Sequence, residues 1–298
     1  MPIHLPPLSR RSFLASLAAA GAGCTASRSG KSTAPDRWAL LSDTHIDASP
    51  KMAARGVVMT ENLRAVASHV STQASRFERV LVNGDCAYLK GVPGDYANLV
   101  QLLEPMRKAG LPVHLTLGNH DDRVNFRAGV GTLVGGKTAV SDRHVSLIRG
   151  RHANWLLLDS LDQVNVTPGL LGEAQLTWLA RTLDAEPQRP AIICAHHNPL
   201  EAAHRGGLQD WEKLLAVLAP RRQAKAFIFG HTHNWRTLQD ASGLHLINLP
   251  PVAYVFNPAR PNGWVDAEVS REGLRLTLQC LDAKHTENGQ VIELAWRA

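Results

Sequence analysis

The sequence predicts a layered α/β fold, and three observations carry that expectation. Short apolar segments of strand length recur along the chain. The early ones are separated by stretches whose leucines fall at helical spacing. Beyond Phe229 the helical spacing disappears, and strand-like segments follow one another across Pro, Gly and Asn turns. With 298 residues and 44% hydrophobic content, the chain can bury one large core. Aromatic residues make up only 5%, so that core must be mostly Leu, Val, Ile and Ala.

Residues 38–41 form a short apolar strand, 59–75 a helix and 79–82 a second strand. Leu99, Leu102, Leu103 and Met106 recur at helical spacing, which places a helix over 95–109 with Gly110 as its stop. Residues 113–117 are the third strand. The apolar segments 144–148 and 155–158 flank Gly150 and read as a hairpin. Leu176, Leu179 and Leu183 share one face of a helix over 172–183. A strand at 192–195, a helix at 209–218 and a strand at 226–229 follow. The end of the chain supplies strands at 244–249, 265–269 and 274–281. No repeat or low-complexity tract interrupts the pattern, and one domain over 36–298 accounts for it.

The formal charge of +6 is unevenly placed. Arg10, Arg11, Arg28 and Lys31 precede Pro35 and no acidic residue does; without them the chain carries +2. Such a body attracts long polyanions weakly, so no nucleic-acid polymer is expected as a partner. Cys24, Cys86, Cys194 and Cys280 fit neither a zinc ribbon nor a small disulfide scaffold. Cys86 and Cys194 stand beside metal-capable residues, which leaves a disulfide or redox role open. Burial as small reduced hydrophobes is the expectation.

Residues 1–35 read as an address and a linker. Ser9-Arg10-Arg11-Ser12-Phe13-Leu14 is a twin-arginine export pattern, and the Ala/Leu-rich run over 13–22 is too short for a stable membrane anchor. Gly21-Ala22-Gly23-Cys24 resembles a lipoprotein processing site. A lipid tether on Cys24 and ordinary cleavage nearby both fit. Residues 28–35 are a polar Ser/Gly linker. The expected location is periplasmic or otherwise outside the cytoplasm.

Five apolar strands are each followed at once by a metal-capable side chain. The series is Asp43-Thr44-His45, Gly84-Asp85, Gly118-Asn119-His120-Asp121, His196-His197 and Gly230-His231-Thr232-His233. Strand ends open on one edge of an α/β sheet, where ligands bind. Carboxylate, amide oxygen and imidazole together suit Mn, Fe, Zn or Co. Two apart on an extended segment, Asp43 and His45 would point the same way, as would His231 and His233. The glycines before Asp85, Asn119 and His231 permit tight turns. One Asp-x-His or His-x-His is weak evidence, but the ordered series is specific.

That series resembles the calcineurin-like metallophosphoesterases over 38–248. The resemblance implies a four-layer α/β/β/α sandwich of two mixed β-sheets. It also implies two metal ions. One would be held by Asp43, His45, Asp85 and His233, the other by Asp85, Asn119, His196 and His231, with Asp85 shared. His196 is taken over His197 because it directly follows the apolar strand; His197 is then a fallback ligand or a neighbour of substrate. His120 would protonate the leaving alkoxide or bind the phosphoryl group, and Asp121 would orient His120 or turn the loop. A hydroxide between the two ions would attack phosphorus in line with the leaving oxygen.

Within that superfamily the chain is most similar to class III cyclic-nucleotide phosphodiesterases and bacterial glycerophosphodiesterases. Gly94-Asp95-Tyr96, Leu111-Pro112-Val113 before Gly118, Leu158-Asp159-Ser160 before Gln175 and Trp178, and His196-His197-Asn198-Pro199 carry the likeness. Cys86-Ala87-Tyr88 and Asn198 depart from the usual pattern. The implied substrate is a small phosphodiester, a cyclic nucleotide or glycerophosphodiester. A phosphomonoesterase or pyrophosphatase of the same fold is the alternative, since one metal set serves each reaction. An inactive binding protein would lack ligands, and none is missing. His204, in the loop after His197, could touch substrate.

Overall fold

The computed structural model describes residues 34–134, 138–199 and 206–298. Its first strand, β1 (Asp36–Leu41), sorts its side chains by parity. Trp38 and Leu40 enter one core, Ala39 and Leu41 another, as alternation on a pleated strand requires. A minimal hairpin of β2 (Ala53–Ala54) and β3 (Val57–Val58) leads into α1 (Met59–Thr72). Then come β4 (Arg79–Asn83), α2 (Pro93–Lys108), β5 (Val113–Thr116) and α3 (Arg123–Val134). Strands β6 (Ser146–Arg149) and β7 (Asn154–Leu157) pair antiparallel, as the sequence predicts for this hairpin.

The second half continues with α4 (Glu173–Ala185), β8 (Ala191–Cys194), α5 (Trp211–Leu218) and β9 (Ala224–Phe229). It ends with β10 (Arg236–Gln239), β11 (His245–Asn248), β12 (Gly263–Val269), β13 (Gly273–Cys280) and β14 (Val291–Ala295). One six-stranded sheet runs β14-β13-β12-β1-β4-β5, the other β10-β11-β9-β8-β7-β6. Both mix parallel and antiparallel pairs.

The two sheets face each other across a dry core in which the rings of Trp38 and Trp155 stack at 4.0 Å. The outer face of the first sheet packs against α1, α2 and α3, and that of the second against α4 and α5. The result is the four-layer α/β/β/α sandwich. Residues 35–298 form one compact unit. No described helix is long and apolar enough to cross a membrane. The Arg10-Arg11 pair, Cys24 and His204 lie outside the described residues.

Some elements had no sequence signal. In α3 only Phe126 and Val130 carry a buried apolar stripe among its described side chains, and Gly129 and Gly131 dilute it. Its start is set instead by Asp122, whose Oδ1 accepts the Asn125 N–H at 2.8 Å. Strands β10 and β14 are sheet edges, half-exposed and largely polar or alternating. The strand-rich end also divides between the sheets: β10 and β11 extend one, β12 to β14 the other.

Candidate metal centre

Five of the seven donors sit on a left-handed backbone. Asp43, His45, Asp85, His231 and His233 have φ of 52°, 47°, 44°, 68° and 52°. For non-glycine residues this left-handed conformation costs about 1–3 kcal/mol each and clusters at functional sites. The expected extended pairs are therefore corrected: neither pair is extended. Asp43 and His45 still converge. His231 and His233 diverge, one toward Asp85 and His196 and the other toward Asp43 and His45. Backbone bonds lock these turns together: Asp43 N–H to Gly84 O at 3.1 Å, His45 N–H to Asp85 O at 2.9 Å, and Ile46 N–H to Cys86 O at 3.0 Å.

The donor atoms meet. Three groups have donor atoms within 4.8 Å of one another: Asp43 with His45 and His233, His45 with Asp85 and His120, and Asp85 with His196 and His231. His45 Nε2 and His233 Nε2 stand 3.0 Å apart. Asp43 Oδ1 is 3.3 Å from His233 Nε2, and Asp85 Oδ2 is 3.2 Å from His196 Nε2 and 3.7 Å from His45 Nε2. Asp85 is the carboxylate shared between the second and third groups.

The surroundings aim three of these imidazoles. Nδ1–H of His196 donates to Asn83 O at 2.9 Å, that of His233 to Tyr254 O at 2.6 Å, and that of His120 to Leu89 O at 2.9 Å. A carbonyl partner on Nδ1 leaves Nε2 free for a cation, the usual arrangement around metal-binding histidines. Asn119 Oδ1 is buried without a hydrogen-bond partner. Such orphans are costly in protein alone and are satisfied by a metal ion. The residues present thus fit a metal centre. Sequence reasoning did not single out Asn83, Tyr254 or Leu89, because they act through backbone carbonyls.

Electrostatics agree. Burial works against the Asp43 carboxylate, but His196 and His233 outweigh it and hold the group below the ordinary carboxylate range. Asp85 is likewise held well below it, burial being overcome by His196 and His120. Burial works to discharge His196, yet Asp85 and Asp43 raise it to about 10. Burial lowers His45 to about 3 and, with His196 adding to it, His231 to about 4. The two carboxylates therefore stay ionised and the His45 and His231 rings neutral, the forms that ligate a cation.

The glycines do more than turn. Gly84, at φ 76°, serves its turn, but a Cβ on Gly118 would strike the Asp85 carboxylate and the His196 ring. A Cβ on Gly230 would strike Ser42 and Asp43. At these two positions space, not conformation, demands glycine.

His196 joins the cluster, whereas His197 turns Nδ1 to Ser160 Oγ at 2.8 Å and packs beside His231. Asp121 does not touch His120. Its carboxylate accepts N–H groups of Gly118, Cys86 and Ala87 at 2.9, 3.1 and 3.1 Å and the Tyr96 hydroxyl at 3.1 Å, tying two ligand loops together. The capping role falls to Asp122. Cys86 and Cys194 are free and fully buried, and burial pushes both thiols up, so neither is poised for redox chemistry.

The comparisons agree with this geometry. The family model for the calcineurin-like phosphoesterase domain matches residues 37–235. The 3′,5′-cyclic adenosine monophosphate phosphodiesterase CpdA of Haemophilus influenzae is 26% identical over 246 residues, 78% of this chain and 85% of that protein. A probable glycerophosphodiester phosphodiesterase GpdQ of Arcobacter nitrofigilis is 25% identical over 203 residues, 66% of this chain and 71% of that protein. A dimetal phosphatase from Danio rerio shares the fold, with a TM-score of 0.70 at 15% identity over 89% of this chain and all of the other. Two facing mixed sheets, strand ends that deliver carboxylates and imidazoles to one point, and a family match across both sheets place this chain in the calcineurin-like phosphoesterase family, whose members are metallophosphoesterases.

Proposed function

We propose that the chain is an exported phosphodiesterase working with two metal ions. Asp43, His45, Asp85 and His233 would hold one, and Asp85, Asn119, His196 and His231 the other. The observation that carries this reading is the chain of overlapping donor groups around Asp85, each closed within 4.8 Å. The mixed oxygen and nitrogen donors favour Mn, Fe, Zn or Co. When bound, such ions polarise a phosphoryl oxygen and make water acidic enough to supply a nucleophile.

The chain's own residues orient and deliver protons. His120 is fixed twice, by its Nδ1–H to Leu89 O and by its backbone N–H to Asp85 Oδ1 at 2.9 Å. Its Nε2 is thereby turned to the centre, 4.0 Å from Asp85 Oδ2, and its side chain is 22% exposed. From there Nε2–H can reach the leaving alkoxide of a bound ester.

The relatives favour a diester: CpdA proteins are cyclic adenosine monophosphate phosphodiesterases, and the GpdQ relative is a probable glycerophosphodiesterase. The manganese-loaded chain should hydrolyse bis(p-nitrophenyl) phosphate faster than p-nitrophenyl phosphate. The reverse order would favour the monoesterase alternative. His120→Ala should lower turnover by about 10²–10⁴-fold, the usual contribution of a general acid, with metal content unchanged. Loss of metal instead would make His120 a ligand.

Export rests on the Arg10-Arg11 pattern and the apolar run behind it. With both arginines changed to lysine, the protein should stay in the cytoplasmic fraction, and normal export of that variant would refute the assignment. Labelling with a radioactive fatty acid separates lipidation at Cys24 from simple cleavage.

A further inference from the structure

The β2–β3 hairpin is minimal. Two residues pair with two, and the turn residues Arg55 and Gly56 both sit at positive φ, 51° and 78°. This backbone suits a two-residue hairpin turn, and for an arginine it is strained. Its effect is placement. The Arg55 guanidinium carbon lies 4.7 Å from the centre of the Phe256 ring and 5.9 Å from that of Tyr254. Phe256 in turn stacks on His233 at 4.4 Å, and Tyr254 stacks on His45 at 5.2 Å. Planar groups therefore run outward, without a break, from two candidate ligands to an exposed cation. Phe256 is 52% exposed although it borders the centre. An aromatic ring left half in water gains from a ligand that covers it.

We infer that Arg55, Tyr254 and Phe256 form a platform for a planar aromatic group, the base of a nucleotide whose phosphate ester sits at the metal centre. The inference rests on the phosphodiesterase reading of that centre and narrows it to one substrate class. Bases stack on aromatic rings and on guanidinium planes alike. With the phosphoryl group held among His45, Asp85 and His120, the rest of a nucleotide must extend past the rim of the site. The rim beside His45 and His233 is where the aromatic faces stand. A glycerol-type ester has no planar face to offer them.

The test separates the base from the sugar phosphate. Adenosine 5′-monophosphate and ribose 5-phosphate, which differ only in the base, compete against bis(p-nitrophenyl) phosphate on the manganese-loaded full chain. The nucleotide should inhibit about 10-fold more strongly, the worth of one base stacked on an aromatic side chain. Phe256→Ala and Arg55→Ala should each bring the ratio toward one, and Phe256→Tyr should retain it. Equal inhibition in the wild type overturns the proposal, as does an unchanged ratio in both alanine variants. If the chromogenic diester is not turned over at all, the phosphodiesterase reading falls by itself. The same two ligands, titrated calorimetrically into the manganese-loaded chain, then decide the platform independently.

Discussion

Asp85→Asn is expected to lower turnover of bis(p-nitrophenyl) phosphate by about 10³-fold, roughly 4 kcal/mol of barrier, and to reduce bound metal from two ions per chain to at most one. The substitution preserves shape and removes charge. Asp85 Oδ2 lies 3.2 Å from His196 Nε2, 3.7 Å from His45 Nε2 and 4.0 Å from His120 Nε2, so its oxygen reaches donors of both proposed sites. An amide carries no charge to offset two cations and is a weaker ligand than a carboxylate. Elemental analysis of the purified variant, run beside steady-state kinetics, checks both expectations. A variant that keeps two ions and wild-type turnover would sink the shared-ligand assignment.

Gly118→Ala carries the next largest expected effect, for a purely steric reason. The added methyl would collide with the Asp85 carboxylate, the Asp85 backbone nitrogen and the His196 ring. These groups are buried and tied to Asn83 and to the 118–121 loop, so none can yield freely. Overpacking of this kind costs about 1–3 kcal/mol of stability. Here it also displaces two ligands, so activity should fall to about a hundredth or less. Gly131→Ala is the matched control. It lies in α3 with nothing within 4 Å of the new methyl, and replacing a helical glycine should stabilise the protein by up to about 1 kcal/mol. Thermal melts of the two variants should therefore move in opposite directions, and metal content should fall only in Gly118→Ala. A Gly118→Ala protein with unchanged melting and activity would mean that the two ligand loops do not approach as closely as described.

Much of the fold was legible because its strands are fully buried. Residues 192–194 and 226–229 are uninterrupted apolar runs, and both are central strands buried on each face. Elements without such runs stayed hidden. Strand β10 is polar and held by ladder hydrogen bonds at a sheet edge, and β14 is a short edge strand that lays only Ile292 and Leu294 on the core. Helix α3 depends on a cap at Asp122 and on only two buried apolar side chains among those described. The candidate ligands were legible for a different reason: the order and spacing of Asp, Asn and His after apolar strands is a pattern few sequences show by accident. Their carbonyl partners on Asn83, Leu89 and Tyr254 were not, since a backbone oxygen has no residue identity.

The sequence by itself determined the family, the layered architecture and the set of side chains available to a cation, because each donor lies within four residues of a strand end. Only the tertiary structure decided which donor atoms come to stand beside one another. Left-handed turns at His231 and His233 send neighbours to different sides of Asp85, and no spacing rule based on extended chain anticipates that. The same holds for the rim, where Arg55 comes to lie over Tyr254 and Phe256, which are distant from it in sequence. Local chemistry is written residue by residue, whereas convergence depends on backbone turns and on the packing of two sheets, which act between distant parts of the chain.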